Sequence, residues 1–281
     1  MSTLREKRKK ERRALRRRKT ADWTVVLILC AIAVCCGGYL IYHHWSVKQR
    51  ELEYEKLRQE ETLSAATETV IAEPETEEST EETVIYCDSV YDFGQLHEQN
   101  QDIYAWIVVP GTQVDYPLLQ SETDNYYLDY NLDHSKGYPG CIYTNQCNRK
   151  DFSDYNTVLY GHNMKNGSMF GTLDDYKSEK WQTEHPVIEF FVDGEVREYE
   201  VFAAAESRVL YEDEEGFRYY RSGGDLSEEE YGKLITWLQE NSDYETGIIP
   251  EYGEQILMLS TCSYHTKDGR FVVAARRISE P

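Results

Sequence analysis

The order of polar and apolar positions divides the chain into four stretches. Residues 1–22 are polar and mostly basic. Residues 23–42 form a run of 20 without a formal charge, rich in Val, Leu, Ile, Ala and Cys. As a helix at about 1.5 Å per residue it spans roughly 30 Å, the thickness of a bilayer's hydrocarbon core. Residues 43–87 return to high polarity, and 88–281 carry short apolar runs punctuated by turn residues. The pattern predicts a basic tail (1–22), one membrane-spanning helix (23–42), an acidic juxtamembrane stalk (43–87) and a folded domain (88–281).

Within the last stretch, eight apolar runs read as strands: 104–109, 114–118, 141–144, 157–160, 187–192, 196–204, 255–259 and 271–278. Asp193-Gly194 is a hairpin turn signal between the fifth and sixth. Ser227 followed by Glu230 is a capping box, and Leu234, Ile235 and Leu238 then fall on one helical face. Shorter helices are expected around 90–99 and 169–176. The class is mostly β, a closed barrel or sandwich with peripheral helices. In the stalk, Glu residues interleaved with Lys56 and Arg58 predict a short helix over 51–58 with surface ion pairs. The Glu/Thr/Ser run at 73–83 has almost nothing to bury and repels itself, which predicts an extended spacer.

Charge sharpens this division. The chain holds 30 Lys+Arg and 51 Asp+Glu, a net of −21. Eleven of the basic residues and two Glu lie within 1–19, so the remainder carries a net of −30. A domain that acidic repels phosphate backbones, which argues against nucleic acid as a partner. The basic cluster before the apolar run places the N-terminus in the cytoplasm and residues 43–281 outside the cell, as a single-pass protein of the cell membrane. Tyr42-His43-His44-Trp45 offers no small-x-small cleavage site, so the span is expected to stay as an anchor.

Three residues of the outer domain stand where core strands open into loops. Cys262 ends the most apolar strand, Ile256-Leu257-Met258-Leu259-Ser260-Thr261-Cys262. A nucleophile at a cleft mouth and a small buried hydrophobe both fit that position. His162 follows Thr157-Val158-Leu159-Tyr160-Gly161, whereas His97, His134, His185 and His265 lie in polar, turn-like contexts. Arg270 opens the last strand after the turn Lys267-Asp268-Gly269. If the strands of Cys262 and Arg270 form a hairpin, the guanidinium returns beside the sulfur, where it can donate to a developing oxyanion. No His, Cys or acidic residues show a metal-ligand spacing, so no metal and no cofactor are expected.

Together these residues resemble one family. Leu259-Ser260-Thr261-Cys262 followed by Arg270-Phe271-Val272-Val273 is similar to the active-site strand pair of sortases, transpeptidases of Gram-positive cell walls. Tyr160-Gly161-His162-Asn163-Met164, with Gly167, Met169-Phe170, Leu173 and Tyr176, resembles the class B histidine motif. Upstream, Trp106-Ile107, Gly111-Thr112, Asp115-Tyr116-Pro117 and Asp124-Asn125-Tyr126-Tyr127-Leu128 also look like class B, as does the position of the helix over 227–241. The resemblance implies an eight-stranded sortase-type barrel over 88–281. It implies Cys262 as nucleophile, His162 as general acid and base, and Arg270 as oxyanion holder. Ser260 and Thr261 are candidates for shaping the substrate groove, and hydroxyls bonded to local backbone fit them equally. The implied partners are secreted proteins bearing a C-terminal sorting signal, and an amine of a peptidoglycan precursor or of a pilin.

Class B sequences commonly carry an acidic residue right after the cysteine, where this chain has Ser263. Cys141 and Cys147 are additional thiols, expected to be mostly free because a large β core needs no staple; an exported Cys-x5-Cys pair can also form a disulfide. Two other functions use the same residues: a cysteine peptidase or amidase that hydrolyses wall peptides, and a non-catalytic membrane-tethered wall-binding or scaffold domain.

Overall fold

Eight strands close on themselves around a continuous apolar interior in the computed structural model. It describes residues 2–71, 91–192 and 194–278, with 2–22 and 60–71 by backbone alone. Asp193, Cys87 and the 73–83 run lie outside the described residues. The chain divides into two units, Met1–Gln49 and Arg50–Pro281. The first consists of the opening turns of α1 (Ser2–Ile71). The helical stretch Trp23–Gln59 contains an 18-residue window of mean hydropathy 2.5 with no part buried by protein, long and apolar enough to cross a membrane.

In the second unit the strands are β1 (Ile103–Val108), β2 (Asp115–Leu119), β3 (Ile142–Thr144), β4 (Asn156–Tyr160), β5 (Val187–Val192), β6 (Glu195–Arg208), β7 (Ile256–Cys262) and β8 (Gly269–Arg277). They run in the order β1-β2-β3-β4-β7-β8-β6-β5, and β5 pairs back onto β1 to close the barrel. The β2–β3 and β4–β7 pairs are parallel; the others are antiparallel. Six of the eight predicted runs match within about two residues at each end; β6 and β7 run four and three residues past their predicted C-terminal ends. Backbone pairing to β8 carries both past that point, along β6 from Tyr199 to Arg208 and along β7 to Cys262.

The near-continuous apolar run of β7 follows from its position. Residues 256–261 are all buried, because one face lines the barrel interior and the other is covered by α5 (Glu228–Asn241). On α5, Tyr231, Leu234, Ile235 and Leu238 pack with Ile256, Met258, Val272 and Ala274. The capping box forms as expected: Ser227 Oγ accepts from Glu230 N, and Glu230 accepts from Ser227 N. Such a cap is worth about 1 kcal/mol. The helix expected over 90–99 is α2 (Phe93–Gln99), capped by Asp92, while 169–176 yields a 3₁₀ turn, Leu173–Lys177. Two short helices had no clear sequence signal, α3 (Tyr126–Asp129) and α4 (Glu179–Glu184).

The stretch 43–87 is not all free stalk. The short helix expected over 51–58 is part of α1, and within the second unit Tyr54 and Leu57 are buried at 4% and 2% exposure. Two buried side chains three residues apart, among the charged Glu51, Glu53, Glu55, Lys56 and Arg58, do not stand out along the sequence.

Candidate active site

The end of β7 and the start of β8 place two of the three singled-out residues face to face. Cys262 is directly opposite Arg270 in the antiparallel ladder. The turn between them is closed by Ser263 N donating to Gly269 O at 2.9 Å. A Cβ at Gly269 would meet Ser263 O at 2.4 Å, so a residue without a side chain is what allows the hairpin to shut. Arg270 Nη1 donates to Gly269 O at 2.9 Å, which uses one of its five N–H donors.

His162 reaches the same place from β4. That strand runs parallel to β7 with Tyr160 opposite Ser260, so extending the register two residues brings His162 level with Cys262. The extension is held by Gly161 N donating to Ser260 O at 3.3 Å and by Thr261 Oγ1 donating to Gly161 O at 2.7 Å. Gly161 has no room for a side chain: a Cβ would lie 2.4 Å from Ile142 Cδ1 and 2.8 Å from Phe170. His162 Nε2 lies 2.8 Å from Leu128 O. A carbonyl only accepts, so Nε2 carries the proton and Nδ1 is the ring atom left to exchange one. The ring of Tyr138 packs against the imidazole with centroids 4.7 Å apart.

Cys262, His162, Arg270, Ser260 and Thr261 all line one cleft of about 360 Å³. A larger hollow of about 560 Å³, bounded by Ser153, Tyr155, Glu195, Gln255 and Arg277, contains none of them. Ser260 and Thr261 are 2% exposed and their hydroxyls are committed, Ser260 Oγ to Tyr219 OH at 2.8 Å and Thr261 Oγ1 to Gly161 O.

The sequence alone assigned no role to the rest of the cleft. Its walls include Tyr143, Tyr160, Tyr219 and Tyr220, with Asn125 and Asn145 at the rim. Burial pushes the Tyr219 phenol up to about 12 and raises Tyr143 and Tyr160 further, so these rings stay neutral at physiological pH. Tyr143 OH donates to Asn125 Oδ1 at 3.0 Å. Asn163, which the sequence offered only as part of the histidine motif, also had no role assigned to it. It is 7% exposed, and its side-chain amide donates both to Cys262 O at 2.9 Å and to Asp174 Oδ2 at 2.8 Å. With 23 tyrosines in the chain, nothing local distinguishes those that face a cleft; for Asn163, the one available signal was its place directly after His162.

Residues 107–278 match the family described as Sortase domain. The chain belongs to the sortase family. Sortases are cysteine transpeptidases, and this chain is an enzyme of that kind. Among curated sortases, sortase B of Listeria monocytogenes is 29% identical over 187 residues, covering 66% of this chain and 73% of the relative. Sortase B of Staphylococcus aureus is 26% identical over 258 residues, covering 91% and 96%. The solved Staphylococcus aureus sortase B–substrate complex superposes with a TM-score of 0.66 at 26% identity, covering 84% of this chain and 99% of that one. The closed eight-stranded barrel is therefore a class B sortase fold.

Proposed function

We propose that this sortase is a single-pass membrane protein with a cytoplasmic N-terminus and an extracellular catalytic domain. It cleaves a C-terminal sorting signal of secreted proteins and joins the protein to an amine of peptidoglycan or of a pilin. The Cys262 thiol gives its proton to His162 as Sγ attacks the scissile carbonyl carbon. His162 gives a proton to the departing amide nitrogen, the C–N bond breaks, and a thioester remains. The acceptor amine then attacks the thioester, His162 takes the proton, and the sulfur leaves. Arg270 donates hydrogen bonds to the oxyanion of both tetrahedral intermediates.

The observation that carries this reading is the direct pairing of Cys262 with Arg270 at the mouth of a cleft that His162 also lines. The apolar run 23–42 and the basic cluster before it support the anchor and its orientation.

The test incubates the full chain in detergent with a panel of C-terminal peptides and an amine acceptor, with mass spectrometry of both protein and products. The expected result is an acyl adduct on the peptide containing Cys262 and a product joined to the amine. Free carboxylic acid as the sole product would reassign the protein as a peptidase or amidase. No adduct and no product with any peptide would favour a binding domain.

A further inference from the structure

Within the second unit, one face of the helical segment 50–58 is buried in the domain. Arg50, Tyr54, Leu57 and Arg58 recur at helical spacing and form a single stripe, while Leu52, Glu55 and Lys56 face outward. From this stripe two lines of contact run through the domain, and both end on His162.

The first passes through the loop between β2 and β3. Tyr54 OH donates to Gly140 O at 3.3 Å. Gly140 lies so close to the preceding turn that a Cβ there would meet Leu128 O at 2.8 Å. That same Leu128 oxygen receives the imidazole N–H of His162. Arg50 steadies the loop from outside, donating to Asp133 Oδ2 at 2.8 Å and Ser135 Oγ at 2.7 Å.

The second line reaches the His162 backbone. Tyr54 meets Tyr116 edge-on with centroids 5.2 Å apart, and the Arg58 guanidinium lies 5.5 Å from the Tyr116 centroid. Arg58 also donates to Asp115 O at 3.0 Å. Tyr116 OH accepts from Met169 N at 3.0 Å, and the next amide, Phe170 N, donates to His162 O at 3.0 Å. Glu51 bonds Asn166 in this second loop directly.

The geometry points to a bracing role for residues 50–58: docked on the barrel, they hold the two loops that fix the side chain and the backbone of His162, with Tyr54 as the positioning residue common to both. The role of His162 itself rests on the proposed function. A segment that looks like a spacer would thus be part of the active site's support, and a catalytic domain cut free at residue 88 would lack it.

The test uses the full chain in detergent and needs no substrate. Hydrogen exchange by mass spectrometry reads the two loops, 128–141 and 163–172, with α5 as an internal reference. Alkylation of Cys262 by iodoacetamide across pH reads the nucleophile's surroundings. Tyr54→Ala combined with Leu57→Ala should raise exchange in both loops by about tenfold or more while α5 keeps its protection. The same variant should move the alkylation profile toward that of His162→Ala. Glu55→Ala, on the outer face, should change neither. If the double variant does not fold, Tyr54→Phe and Arg58→Ala carry the test, each expected to loosen one or both loops.

Wild-type loop exchange and a wild-type alkylation profile, in a variant whose 50–58 segment itself exchanges freely, would overturn the bracing role. Equal loosening of α5 and the loops would overturn it too, by showing a general stabilising contact. An alkylation profile unchanged in His162→Ala would instead sink the assigned role of His162, and loop exchange would still decide the brace.

Discussion

The side-chain amide of Asn163 donates to the backbone carbonyl of Cys262 at 2.9 Å. Because Asn163 follows His162 directly, one side chain ties the end of the histidine strand to the end of the cysteine strand. Its second bond, to Asp174 Oδ2 at 2.8 Å, fixes the amide's orientation. The distance between Cys262 and the His162 imidazole is thus held by a hydrogen bond as well as by the barrel.

Asn163→Ala leaves two acceptors without this donor, a loss of about 1–3 kcal/mol. Activity is expected to fall at least about tenfold while the barrel stays folded, because the change acts on the spacing of reacting groups. Asn163→Asp is expected to do no better, since a carboxylate cannot donate to Cys262 O and repels Asp174. Steady-state kinetics beside thermal melting decide it: an Asn163→Ala enzyme as fast as wild type would show that the tie does not set the geometry.

Cys262→Ala should abolish both cleavage and amine transfer, since no other side chain at the cleft can form the thioester. His162→Ala should be nearly as severe, because without a proton donor the nitrogen would have to leave as an amide anion, a very poor leaving group. Arg270→Lys keeps the charge and loses the planar fork, and is expected to lose most activity with an unchanged circular dichroism spectrum. Transfer retained by Cys262→Ala would remove the central assignment.

The thiols differ in environment and so in reactivity. Cys141 is buried, its sulfur against Tyr54 OH and Tyr130 O, and burial pushes its thiol up to about 12. Cys147 is exposed, and both are free. Iodoacetamide at pH 8 should label Cys147 and Cys262 in the native protein and spare Cys141 until unfolding. A thiol raised from an unfolded value of about 8.5 keeps its full stabilising contribution below that pH. The contribution is lost as pH climbs toward about 12, so native Cys141 labelling should emerge only at strongly alkaline pH. Quantitative labelling of Cys141 at pH 8, or a Cys141–Cys147 crosslink in the unreduced protein, would contradict this.

Protease added to intact protoplasts should remove the chain beyond about residue 45 and spare the basic N-terminal tail. The motive is the asymmetry of eleven Lys/Arg ahead of the apolar run. Protection of the barrel would reverse the orientation.

Features written in local order were legible without coordinates. The uncharged run 23–42, the capping box at Ser227, the apolar β7 and the turn before Arg270 each depend on neighbours a few residues apart, and each appears as expected. That locality also brought Cys262 and Arg270 together on paper, because a hairpin with a seven-residue connection leaves little freedom. His162 could be named from its strand end. Its meeting with Cys262 depends on the parallel β4–β7 pairing, which joins residues about 100 positions apart, as in Tyr160 with Ser260. The tyrosine walls, the Asn163 tie and the buried face of Arg50–Arg58 were decided by tertiary structure alone. Each is made by one or two side chains whose partners lie far along the chain, and a polar residue on a helix or loop carries no local mark of which distant surface it will meet.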